Sequence, residues 1–145
     1  MKNIAMVLLL LLVSMNVLAE LNKAFESADG FAEWSSVFES VDGNETIYVD
    51  FKSIRKIGNN KVELWYLLDF KKTQQSVNYS YLSSVMHDEF DCDKKIIHML
   101  NLSFYSANMR SGEVVWSNSN IKEKPQSIMV GTSTETVFKL ACGKK

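Results

Sequence analysis

Apolar and polar residues alternate through Lys61–Lys71, KVELWYLLDFK, so that Val62, Leu64, Tyr66, Leu68 and Phe70 share one face of an extended chain. The opposite face carries Lys61, Glu63, Trp65, Leu67, Asp69 and Lys71, polar at its ends and apolar at its centre. Alternation over so long a run predicts a strand with one buried face. The two large apolar residues on its other face predict an interior strand, because an exposed edge of that composition would template aggregation.

The same reading places further strands on either side. Trp34–Val41 and Thr46–Asp50 flank Asp42-Gly43-Asn44, a hairpin signal, with Trp34, Ser36, Phe38 and Ser40 on one face of the first strand. Phe51–Ile57 reads as a short connection and Gly58-Asn59-Asn60 as the turn into the central strand. Lys72–Asn78 is polar and reads as a loop. Tyr79–Cys92 is a long strand ending with Met86, Asp88, Phe90 and Cys92 on one face and His87, Glu89, Asp91 and Asp93 on the other. Lys95–Tyr105 runs back, with Ile96, His98, Leu100, Leu102 and Phe104 as its apolar face. After a loop at 107–112, Glu113–Trp116 is a short strand. The polar stretch 117–126, which holds Pro125, the chain's one proline, is a surface loop.

The period changes at the C-terminus. Thr132-Ser133-Thr134-Glu135 fits a capping box, followed by Val137, Phe138, Ala141 and Cys142 at helical spacing. A helix this short is unstable alone and must pack against the sheet. The expected fold is α+β, mainly β: an antiparallel sheet of about six strands with a C-terminal helix on one face.

The N-terminus changes the compartment. Lys2, the apolar run Ile4–Val13 and Val17-Leu18-Ala19 form a signal-peptide pattern, cleaved after residue 19. Ser14, Asn16 and Glu20 leave the run short of the ~20 apolar residues a membrane span needs. The expected organisation is a signal peptide at 1–19, an arm at 20–33 and one domain at 34–145. No cysteine lies near the cleavage point to carry a lipid anchor. In an exported chain the only two cysteines, Cys92 and Cys142, read as a disulfide; in a cytosolic one they would read as buried thiols. Closing that loop stabilises by about 4 kcal/mol in the chain-entropy treatment, less any strain.

Composition narrows function by exclusion. A net charge of −1 leaves no basic footprint for nucleic acid. The chain contains no Gly-x-Ser-x-Gly elbow, phosphate loop or HExxH pair, so no enzyme and no cofactor are expected. His87, Glu89, Asp91 and Asp93 share a strand face, but a solvated face near a turn explains them better than a metal site. His98 reads as a hydrogen-bonded core histidine. Trp65 and Leu67, with Trp116, form a candidate exposed apolar patch for a homodimer or partner protein, unless the helix covers that face.

Ile47-Tyr48-Val49-Asp50, Ser53-Ile54, the Gly/Asn turn, VELWYLLDF, Glu89-Phe90-Asp91-Cys92, Ser103-Phe104-Tyr105-Ser106 and the ending Gly131-Thr132 to Leu140-Ala141-Cys142 occur in one order. That ordered set resembles the surface-adhesin protein E family of exported bacterial proteins over roughly residues 34 to 142. The resemblance implies a six-stranded antiparallel sheet with a disulfide-held C-terminal helix, a Gram-negative source, and a non-enzymatic role in binding host extracellular-matrix proteins. It also implies a basic ligand-binding segment around the first cysteine. Here Tyr79–Lys95 is instead rich in acids, with Lys94 and Lys95 as its cations. The alternative is a periplasmic or envelope protein, structural or dimerising, with no host ligand.

Overall fold

The computed structural model describes residues 32–143. The segments read as a signal peptide, at 1–19, and as an arm, up to residue 31, lie outside the described residues.

Six strands form the main path of an open antiparallel sheet, in the order β1 (Trp34–Glu39), β2 (Glu45–Asp50), β4 (Lys61–Gln75), β5 (Ser80–Asp91), β6 (Ile96–Tyr105) and β7 (Val114–Asn118). Two short strands extend it: β3 (Arg55–Lys56) pairs with β4, and β8 (Gln126–Ser127) pairs with β6. The interior place predicted for KVELWYLLDFK is its place here, with β2 and β3 on one side and β5 on the other.

The period-two pattern directs Val62, Leu64, Tyr66, Leu68 and Phe70 to one side of β4. That side receives the helix α1 (Ser133–Cys142). Val137, fully buried, packs among Ile47, Val49, Leu64, Tyr66, Met86 and Phe90. The helix begins as its sequence demands. Thr132 is extended at φ −100° and its hydroxyl accepts the Glu135 N–H at 3.2 Å. The Glu135 carboxylate reaches back to the N–H of Gly131 at 2.8 Å, one residue earlier than a standard capping box. Gly143 ends the helix at φ +74°, a conformation that favours glycine. Cys142 bonds Cys92 with Cα atoms 5.6 Å apart, tying the last turn of the helix to the end of β5.

Several local expectations are corrected. Lys72–Asn78 is not all loop: β4 continues to Gln75, where Gln74 and Gln75 pair with Tyr81 and Ser80. The backbone ladder, not burial, keeps these mostly exposed residues extended. The apolar face read for Lys95–Tyr105 is broken by a bulge at Leu100. Leu102 pairs with Met86 on the helix side, but His98 pairs with Glu89 and Ile96 with Asp91 on the far side, while Ile97 and Met99 take the helix side. A bulge between Ser36 and Phe38 does the same to β1, placing Phe38 opposite Ile47 and Ser36 opposite Tyr48. An extra residue in a bulge reverses which side the following residues face.

Candidate binding surface

The helix leaves part of its own side of the sheet uncovered. Phe104 of β6 and Trp116 of β7 are opposite each other in the ladder, with ring centroids 5.6 Å apart. Tyr81 lies tilted against Phe104 at 4.3 Å and meets Phe70 edge-on at 5.9 Å. Tyr79 touches Tyr81, Phe104 and Trp116. Strand spacing sets rings on neighbouring strands within contact distance, so aromatic residues here pack against each other. Trp116 stands on the edge strand and remains 36% exposed.

The far side differs in kind. Trp65 and His87 are cross-strand partners, and their rings stack at 4.5 Å, within 3° of parallel. Glu63 lies 3.5 Å from His87 Nε2 and pairs with Arg55 of β3. Burial pulls the His87 pKa down; the Glu63 carboxylate opposes that pull and Arg55 adds to it. Lys61 Nζ donates to Glu89 at 2.7 Å, which raises the lysine pKa. Asp91 Oδ1 accepts the Lys94 and Asp93 N–H groups at 2.9 and 3.2 Å, and these bonds hold its pKa low. Asp93 accepts from Asn60 at 2.6 Å. The acids read as a strand-face cluster are therefore each engaged by the protein, and among the described residues no three such side chains converge.

The three residues read as one apolar patch are separated. Leu67 is fully buried: it pairs with Tyr48 and Val85, and the β6–β7 loop folds over the neighbouring positions. There Met109 N–H and Asn108 Nδ2 donate to Asp69, Ser83 donates to the Ala107 carbonyl, and Arg110 N–H donates to Ser83. Leu67 thus offers no surface to a partner. Trp65 is half-buried against His87 on the far side. Trp116 is on the helix side with Phe104. No single interface contains all three.

Sequence reasoning placed Asp88 on the apolar face and drew nothing from it. The residue is 0% exposed, and Tyr66 donates its phenolic hydrogen to Asp88 Oδ2 at 2.6 Å. Burial raises the Asp88 pKa to about 7 against that hydrogen bond, and burial followed by the nearby Asp88 raises that of Tyr66. A carboxylate at a helix-side position between Met86 and Phe90 was the available signal.

An open antiparallel sheet with its C-terminal helix tied to it by a disulfide is the class of domain that these residues define. The chain belongs to the surface-adhesin protein E family, whose model matches residues 34–143. Two solved structures of Haemophilus influenzae protein E share the fold. One, in selenomethionine form, is 13% identical with a TM-score of 0.50, over 74% of this chain and 84% of that one. The other is 16% identical with a TM-score of 0.50, over 79% of this chain and 86% of that one. No curated protein matches the chain. Family and fold together support an adhesin-like surface protein, and no helix among the described residues is long and apolar enough to cross a membrane.

Proposed function

We propose that this chain is exported from a Gram-negative cell by a cleaved signal peptide at 1–19 and works as a non-catalytic binding module. Its ligand is a protein outside the cell, host extracellular-matrix protein being the class that the family suggests. The observation that carries this reading is the family match over the whole of the described domain, 34–143. Trp116, with Tyr79 and Phe104 behind it, is the contact surface, because it combines aromatic area with exposure on an edge strand.

Binding of the purified exported chain to immobilised matrix proteins tests the reading. Saturable binding that a Trp116→Ala change weakens at least tenfold is expected; no saturable binding to any of them removes the host-ligand part.

A periplasmic structural or dimerising role is the second reading, favoured by the charges of β5 and its turn. Glu89, Asp91 and Asp93 are engaged by neighbours within the chain, so this segment presents no basic face to an acidic host partner. Light scattering of the purified chain reads the homodimer directly as a doubled mass.

A further inference from the structure

The helix is fastened differently at its two ends. Its last turn is covalently held by Cys92–Cys142. Its first turn meets the sheet through polar groups: Ser133 donates to Glu45, and Thr134 lies near enough to the Tyr66 phenol to oppose the rise of its pKa, while that phenol donates to Asp88 at 2.6 Å. The start of the helix therefore sits against the tyrosine that serves a carboxyl with no exposed surface.

That carboxyl is poorly provided for as an anion. Asp88 Oδ1 has no hydrogen-bond partner, and Oδ2 has Tyr66 alone. Its ladder neighbours are Leu64 on β4 and Met99 on β6, both apolar. The titratable groups near it are few. Tyr66 faces it from β4, and Glu45 of β2 acts on Tyr66. From the helix comes the neutral Thr134, because Glu135 and Lys139 pair with each other at 2.7 Å. No cation balances a negative charge at this point among the contacts described. Burying an unpaired carboxylate is costly, so either the proton stays or water must reach the group.

We propose that Asp88 is a proton-dependent latch: its neutral form holds the first turns of the C-terminal helix on the sheet, and its ionisation favours a state in which those turns lift while the disulfide retains the last. Lifting lets water solvate the released carboxylate, and the proton passes to solvent. The direction follows from linkage. The carboxyl binds its proton more tightly when covered, with a pKa of about 7 against an ordinary 3.8. Opening is therefore disfavoured at acid pH and grows as pH rises through that interval. The lifted state would bare Ile47, Val49 and Leu64, making the exposure of an apolar surface pH-dependent. This inference rests on the fold and not on the adhesin reading.

Native-state hydrogen exchange of the oxidised chain, corrected for intrinsic rates, tests it at pH 5 and pH 8. The opening constant of helix amides around Val137 should rise about a hundredfold between the two, and Asp88→Asn should remove that rise. Helix amides should also exchange faster than those at the centre of β4. A flat wild-type response, an unchanged slope in the variant, or helix and β4 amides opening together would each overturn the latch. If Asp88→Asn does not fold, a carbon-13 NMR titration of the wild-type carboxyl decides: a midpoint near neutrality supports the latch, and one in the ordinary carboxylate range overturns it.

Discussion

Asp88 and Asp91 lie three positions apart on β5, at 0% and 6% exposure, and their acidities are pushed in opposite directions. Asp88 points to the helix side, where its neighbours are Leu64, Met99 and the Tyr66 phenol. Asp91 points to the far side, where two backbone N–H groups of the following turn close on one of its oxygens. Burial alone therefore does not decide whether a carboxylate is at home; the donors that come with burial do. The same contrast runs through both faces of the sheet. The helix side is an apolar core with one ill-served acid, whereas the far side couples paired charges to a small apolar patch at Leu67 and Val85.

Mutation can break this contrast at either face. Phe90→Ala removes a fully buried ring that also meets Phe138 of the helix at 6.0 Å, and should cost about 3–5 kcal/mol in denaturant unfolding. Reducing the disulfide should cost about as much, near 4 kcal/mol, and act chiefly through the unfolded chain. A smaller loss of about 1 kcal/mol is expected for Thr132→Ala, which unmakes the N-cap bond to Glu135. Lys61→Ala, on the far side, breaks a partly exposed ion pair with Glu89 and should leave the unfolding midpoint at the wild-type value. A Lys61 loss as large as that of Phe90 would mean that far-side charges, not the helix-side core, hold the domain together.

pH gives the comparison a sign. The Asp88 pKa is raised on folding, so this group stabilises the fold at acid pH, and its contribution is lost as pH climbs from about 4 to 7. At full extent that loss is about 4 kcal/mol, from a shift of roughly three pKa units. Asp91 works the other way: its lowered pKa supports the fold above the ordinary carboxylate range, and that support falls away below it. Stability measured from pH 4 to 8 should therefore fall with a steeper slope in the wild type than in Asp88→Asn between about pH 4 and 7, and the two slopes should converge above that.

Much of this architecture was readable from side-chain period. The alternation in Lys61–Lys71 was enough to give an interior strand, and Thr132 with Glu135 marked the start of the helix. What escaped was set by backbone geometry that side-chain period does not encode. The bulges at Leu100 and near Val37 each reverse a strand's faces, which moved His98, Ile96 and Phe38 from their expected sides. A loop forty residues away in sequence reaches Asp69, two positions from the buried Leu67, through the Met109 N–H. No local pattern announces such a contact. With Leu67 buried and Trp65 half-buried, Trp116 is the one of the three that combines aromatic character with exposure.

Protease digestion of intact source cells, beside osmotically lysed ones, tests most directly whether this domain is displayed as an adhesin. The account predicts that the domain is cut on intact cells, with the disulfide-bonded fold slowing digestion in both samples. Protection on intact cells, followed by digestion only after lysis, would contradict surface display and leave the envelope role.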